Sequence, residues 1–225
     1  MQNWTISPSD LTFLWDECPR CFFLKYQQDF RRPASPFPKI FGTIDLLMKD
    51  IYLNQSTRKM SPDLPEGKAI MSGRWVKSEP IGVTGISSTA TLRGIFDTLV
   101  QFEDSSYGVI DFKTTKASNS HVDFYSRQLH AYAYALEHPA PGALRCSPIS
   151  RMGLLCFDPD GMEESQPARL NLHGPATWLE IPLDMPAFLE FMGAVLALLN
   201  YPDPPPPGDG CGFCAYREAA RNTGF

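Results

Sequence analysis

The chain has 225 residues, 43% of them hydrophobic and 12% aromatic, and a formal net charge of −5. That length and apolar content suffice to bury a sizeable core, and residues 1–225 read as one domain. No apolar run reaches the length of a membrane span, and the opening Met1-Gln2-Asn3-Trp4 lacks the basic and apolar regions of a secretory signal. The acidic balance argues against a protein that stores nucleic acid on a strongly basic surface, and a reducing cytoplasm is the expected compartment.

In chain order, Ser7-Pro8-Ser9-Asp10 is a helix-start signal, with Ser7 as cap and Pro8 in the first turn. Leu11, Leu14 and Trp15 mark the buried face of that helix, which delivers Cys18 at its end. Arg32-Pro33-Ala34-Ser35-Pro36-Phe37-Pro38 reads as a stiff connector, and residues 40–54 as a second helix. Residues 56–70, rich in proline and polar side chains, read as a loop-like insert bordering a substrate channel. Strand-like runs follow around Trp75-Val76-Lys77, over 92–102 and over 108–114, with Glu103-Asp104-Ser105-Ser106-Tyr107-Gly108 as a hairpin loop between the last two. A helix over 123–137, strands over 150–157 and 177–183, and an apolar helix over 185–200 complete the core. Residues 201–210, with five prolines, form an extended tether to the last cysteine pair. The order predicts an α/β fold with a mixed central sheet flanked by helices.

Asp111-Phe112-Lys113 stands inside the apolar run Tyr107-Gly108-Val109-Ile110-Asp111-Phe112-Lys113-Thr114. In a strand Asp111 and Lys113 project to one side while Ile110 and Phe112 face the other. Desolvating an acid and a base side by side is costly unless something polar, such as a metal ion and its water, sits beside them. A second carboxylate, Asp97, lies in the preceding strand-like run. If the two strands pair antiparallel, Asp97 and Asp111 share a face and offer the oxygen ligands that Mg²⁺ or Mn²⁺ prefers. In the helix that follows, Gln128 and Tyr132 are four apart and share a face.

At these residues the chain resembles the PD-(D/E)xK nuclease superfamily, and within it the RecB-like branch that includes CRISPR-associated iron–sulfur exonucleases. The resemblance rests on Gly94-Ile95-Phe96-Asp97, on Ile110-Asp111-Phe112-Lys113-Thr114, and on Gln128-Leu129-His130-Ala131-Tyr132, which is similar to the branch's Q-x-x-x-Y element. It implies a restriction-endonuclease-like core in which Asp97 and Asp111 hold the metal and Lys113 positions or polarises the attacking water. Gln128 and Tyr132 then contact or orient the nucleic acid. The branch usually carries a metal-binding His on an early helix. Here the corresponding stretch, Phe41-Gly42-Thr43-Ile44-Asp45-Leu46-Leu47-Met48-Lys49-Asp50-Ile51-Tyr52, has none. Either Asp45 supplies an oxygen ligand in its place, or Leu46 occupies the His position and the metal has fewer protein ligands.

Two C-x-x-C pairs, Cys18/Cys21 and Cys211/Cys214, give a four-thiolate pattern suited to tetrahedral Zn²⁺ or an iron–sulfur cluster. One shared site closes a loop of about 190 residues. That costs on the order of 5 kcal/mol, against roughly 10 kcal/mol or more from a thiolate metal site. A metal can therefore clasp residues 1–30 to residues 201–225. The family resemblance implies a [4Fe–4S] cluster, with Zn²⁺ as the alternative because spacing alone does not separate them. Independent redox dithiols or disulfides are the competing interpretation. Cys146 and Cys156 lie outside the pattern, Cys156 as a buried strand residue.

A local basic track is available from Lys25, Arg31, Arg32 and Lys39 with Lys113, Lys116 and Arg127, each also compatible with an ordinary solvated face. His121, His130, His138 and His173 lack two-His metal spacing and read as packing or surface residues, and Glu79 reads as an exposed loop acid. These readings converge on a Mg²⁺- or Mn²⁺-dependent deoxyribonuclease, exonuclease-like on single-stranded DNA or DNA ends, working alone or within a nucleoprotein complex. The alternatives are a catalytically weak or inactive nuclease-fold module for DNA binding or assembly, and a thiol redox protein.

Overall fold

The computed structural model describes residues 2–34 and 36–223; Met1, Ser35, Gly224 and Phe225, which fall within segments read above, lie outside the described residues. In chain order the elements are β1 (Asn3–Ile6), α1 (Phe13–Glu17), α2 (Pro19–Gln28), α3 (Lys39–Tyr52), β2 (Gly67–Lys77), β3 (Ile81–Gly82), β4 (Thr89–Phe102) and β5 (Tyr107–Thr114). They continue with α4 (Asn119–Glu137), β6 (Ile149–Phe157), β7 (Gly161–Gln166), β8 (Arg169–His173), β9 (Ala176–Glu180), α5 (Met185–Leu199) and α6 (Gly212–Asn222).

The expected mixed sheet is present. Its path runs β1-β4-β5-β6-β9, with β2 and β3 also paired to β4. The β4–β5 pair is the antiparallel hairpin anticipated from the turn residues, β5 and β6 run parallel, and β6 and β9 antiparallel. The crossover between parallel β5 and β6 is α4, as a parallel pair requires. Ser118 caps α4 by accepting a hydrogen bond from the Ser120 N–H.

Helix α4 covers one face of the sheet, where Leu129, Ala133 and Leu136 pack on Phe96, Leu99, Val109, Met152 and Leu154. Helix α3 covers part of the other face, placing Ile44 and Met48 on Ile110 and Phe112. A third cluster joins β1 and the start of β4 to α2, α5 and the cysteines. The alternation in β5 therefore sends Asp111 and Lys113 towards α4 and the apolar Ile110 and Phe112 towards α3.

Several expectations need correction. Strand β1 was not anticipated, because a four-residue strand is defined by its distant parallel partner β4 rather than by a pattern of its own. Asn3 secures it, with its amide N–H donating to Thr91 Oγ1 and its amide oxygen accepting from Thr89 Oγ1, each at 3.1 Å. The single helix expected after Ser7 is a 3₁₀ turn (Pro8–Leu11) followed by α1, and Ser7 makes no side-chain cap. Residues 56–70 do not border the cavity that holds Asp97 and Asp111: Met60 and Leu64 are buried in the α3 cluster, and β2 begins at Gly67. The β7–β8 hairpin also went unread, because its exposed, polar-rich strands bury no face.

Candidate active site and cysteine cluster

Strand β4 is longer than its neighbours, and this creates the site. On one edge it pairs with β1 only over Thr89–Leu92 and with β5 only from Thr98 onwards. Between them, residues 93–97 have no strand partner on that edge among the described residues. Asp97 ends this open stretch. Its Oδ2 accepts the Phe112 N–H at 2.9 Å, so a side chain satisfies the β5 backbone where the ladder parts. Gly94 lies in the same stretch because a Cβ there would meet Pro8 at 2.8 Å and the Tyr132 ring at 3.1 Å.

A cavity of about 510 Å³ opens at this fork, lined by Asp45, Asp97, Asp111, Lys113, Gln128 and Tyr132, with Phe13, Phe37 and Phe41 at its mouth. All six residues named from the sequence for the hydrolytic site thus share one cavity. Each arrives by a simple periodicity: Asp111 and Lys113 by strand alternation, Gln128 and Tyr132 by the helical step of four, and Asp45 from α3 opposite. Leu46, the alternative occupant of the missing His position, is 64% exposed and does not line the cavity.

The electrostatics favour a cation. Asp111 is 3% exposed. Burial pushes its carboxyl up to about 7, Asp97 adds to the rise, and the Lys113 ammonium opposes it. Gln128 Nε2 donates to Asp111 Oδ1 at 3.3 Å, and the Lys113 ammonium touches Asp111 Oδ2 while lying 4.5 Å from the Tyr125 ring centroid. Asp111 Oδ2 nevertheless accepts no aligned hydrogen bond, and neither does the buried Gln128 Oε1. One orphaned acceptor, Gln128 Oε1, beside the Asp97 and Asp111 carboxylates is a donor set that an oxygen-preferring divalent ion fits.

Sequence reading missed Lys49. Its ammonium bridges Asp45 Oδ2 and Asp97 Oδ1, each at 2.7 Å. Burial lowers its affinity for the proton, but the two carboxylates outweigh burial and hold it charged. The available signal was the Asp45/Lys49 spacing of four on a helix, which looks the same for a solvated surface pair.

Other candidates lie elsewhere. His130 is buried packing: its Nδ1–H donates to the Ser126 carbonyl at 2.8 Å and its Nε2 accepts the Asp184 N–H at 2.8 Å. Glu79 is exposed beside His138. Of the basic track, Lys113 is in the cavity, while Arg32 and Arg127 are committed to Glu17 and Asp16. Lys39 and Lys116 do not line the cavity.

The two C-x-x-C pairs do converge. Cys18 and Cys21 are the N-cap and third residue of α2, and Cys211 and Cys214 hold the same two positions in α6. Both helix N-termini direct their positive ends at the sulfurs, which favours thiolate, while burial pushes the Cys21 and Cys214 thiols up. The four sulfurs lie within 4.8 Å of one another, with Cys18–Cys214 at 3.7 Å, Cys21–Cys211 at 3.8 Å and Cys21–Cys214 at 3.6 Å. Burial raises the Cys18 thiol, but hydrogen bonds from the Gly208 and Cys21 backbone outweigh this and bring it down to about 6. Arg32 Nη2 adds a contact to Cys211 Sγ at 3.4 Å. Gly208 is required there, because a Cβ would meet the Glu17 carbonyl oxygen at 2.4 Å and block the tether from Cys18. Thiolates about 2.3 Å from one tetrahedral ion stand about 3.8 Å apart, and the observed spacings fit that arrangement. A cube that binds each thiolate through a separate iron spreads the sulfurs more widely.

The family model for the PD-(D/E)XK nuclease superfamily matches residues 52–219. A solved structure described as "Crystal structure of SSO0001" is 16% identical, with a TM-score of 0.48, over 88% of this chain and 78% of its own. No curated protein matches in sequence. The chain belongs to the PD-(D/E)XK nuclease superfamily. Its members are nucleases that use divalent metal ions, and DNA is the substrate the fold implies. No described helix is long and apolar enough to cross a membrane.

Proposed function

We propose that this chain is a Mg²⁺- or Mn²⁺-dependent deoxyribonuclease of the RecB-like type, exonuclease-like on single-stranded DNA or DNA ends. The observation that carries this reading is the meeting of Asp45, Asp97, Asp111, Lys113, Gln128 and Tyr132 in one cavity where β4 and β5 part. Asp97 and Asp111, with Asp45, would hold the divalent ion, which would supply positive charge against the scissile phosphate and acidify a water. Lys113, fixed between Asp111 and the Tyr125 ring, offsets charge developing on the phosphate and orients the nucleophile. Gln128 anchors Asp111 through Oδ1, so that an ion held at Oδ2 would share that oxygen with the Lys113 ammonium. Burial holds the Tyr132 hydroxyl protonated, as a donor to the strand.

The cysteine cluster is a structural clasp between residues 1–30 and 201–225 of one domain spanning residues 1–225. Its sulfur spacing favours one tetrahedral Zn²⁺ over the [4Fe–4S] cluster that the RecB-like resemblance implies. A thiolate metal site of this kind fits a reducing cytoplasm.

The test is cleavage of single-stranded and duplex DNA by purified protein with Mn²⁺ or Mg²⁺, with iron, sulfide and zinc measured on the same preparation. Metal-dependent cleavage that is lost in Asp111→Ala and Lys113→Ala is the expected result. A second reading, a non-catalytic DNA-binding or assembly module, is favoured by the Lys49 ammonium standing between Asp45 and Asp97. Metal-replete protein that binds DNA and cleaves none of the substrates would establish it instead.

A further inference from the structure

Tyr132 stands between two cavities. It lines the proposed catalytic cavity and also a neighbouring groove of about 700 Å³, to which Arg93, Gly94 and Ile95 contribute from the stretch of β4 that is open on one edge. Trp75 of β2 is directly opposite Ile95 of β4 in the ladder, so both project from the same face, and they are 57% and 43% exposed. Single exposed apolar residues are ordinary. This pair differs in bordering a groove that shares Tyr132 with the site, and in carrying a cation: the Arg93 guanidinium lies 4.5 Å from the Trp75 ring centroid.

The groove's charges single out Arg93. Lys25 is paired with Asp10, which also accepts from the Tyr26 hydroxyl, and Arg31 is paired with Asp29. Arg93 makes no ion pair among the described residues and lines the same groove. A guanidinium placed over an indole and engaged in no ion pair keeps its fork of donors available, which suits a phosphate, while exposed indole suits an unpaired base.

We propose that Trp75 and Arg93 form a stacking and phosphate-binding station for single-stranded DNA, which leaves the catalytic cavity past Tyr132 along the open edge of β4. The proposal rests on the nuclease reading for its direction and makes the substrate class specific: a single strand, read without sequence preference. Stacking on Trp75 requires a base whose face is free, and a duplex keeps its bases stacked on one another.

The experiment uses full-length protein without divalent ions, so that no cleavage occurs, and fluorescence anisotropy with a fluorescein-labelled oligo-dT and with a labelled duplex of equal length. Trp75→Ala weakens single-strand binding roughly 10-fold or more and leaves duplex binding unchanged. Trp75→Phe, which retains an aromatic face, keeps most of the affinity. Arg93→Ala lowers the slope of log affinity against log salt by about 0.7, one single-strand phosphate contact. Because Trp75 is exposed, the variants melt like the unaltered protein. Trp75→Ala binding single strands as tightly as the unaltered protein, an equal loss for single strand and duplex, or no single-strand binding by the unaltered protein would each overturn the station. Cleavage by the unaltered protein with Mn²⁺, measured in parallel, separates the two readings. Cleavage without a Trp75 effect sinks the station alone. A selective Trp75 effect without cleavage supports the station and sinks the catalytic reading.

Discussion

The catalytic cavity and the cysteine clasp both gather charged or ionisable groups out of water, yet they balance them in opposite ways. In the cavity the protein carries its own counterions: Lys113 touches Asp111, and Lys49 spans Asp45 and Asp97. At the clasp, two helix N-termini, Arg32 and the Gly208 N–H face four sulfurs, too little positive charge to hold them together as four thiolates. On the proposed reading the first arrangement folds without an ion and would use one for chemistry. The second would depend on an ion to hold its parts, which come from opposite ends of the chain. Activity and stability should therefore separate when the two regions are perturbed one at a time.

The largest effect is expected at the clasp. Replacing Cys211 and Cys214 with serine removes the bound metal and costs on the order of 5 kcal/mol, the surplus of thiolate binding over closure of the long loop. Elemental analysis and thermal melting check this. EDTA treatment sharpens the contrast: activity returns on adding Mn²⁺, while the thiolate-held ion stays with the protein throughout.

Next comes Asp111→Asn, which keeps the shape of the side chain and removes a metal ligand. Cleavage falls roughly 10²- to 10³-fold, about 3–4 kcal/mol of transition-state stabilisation, with little change in melting temperature. If the cysteine variant lost activity without stability, or Asp111→Asn lost both together, the division of labour between the regions would fail.

Lys49→Met is a smaller perturbation. It leaves Asp45 and Asp97 facing each other without a counterion, at a cost of about 1–3 kcal/mol in metal-free protein. Mn²⁺ should recover most of that loss, so thermal shifts with and without the ion diverge more for this variant than for the unaltered chain.

The smallest effect concerns His130, which ties α4 to the start of α5 by accepting the Asp184 N–H. Burial holds its imidazole below the usual 6.5 in the folded state, so the unfolded chain takes up the proton first as pH falls. The His130 contribution is intact above about pH 6.5 and declines below it. His130→Gln should flatten the melting profile between pH 7 and 5 by a few degrees at most.

The cavity was legible because its parts follow local rules. Alternation in one strand fixes Asp111 with Lys113, a helical step of four fixes Gln128 with Tyr132, and a turn-rich loop fixes the antiparallel pairing that brings in Asp97. The C-x-x-C spacing similarly announced four thiolates, although the distance between the pairs left their meeting conditional on the fold. Lys49 escaped because an i, i+4 pair has the same appearance whether it faces solvent or a cavity. Trp75 escaped because nothing in its own strand marks it as lying beside the active site.

By itself the sequence determined the order of α3, β2, β4, β5, α4, β6, β9 and α5, the carboxylates that share one cavity, and the four sulfurs. Those features depend on periodicity and on side-chain chemistry, both of which act over a few residues. Only the tertiary structure decided that β1 joins β4 in parallel, that β4 outruns its partners and leaves residues 93–97 open, and that Lys49 reaches Asp97. Those depend on contacts between segments far apart in the chain, where burial and charge compensation between packed elements choose the neighbours.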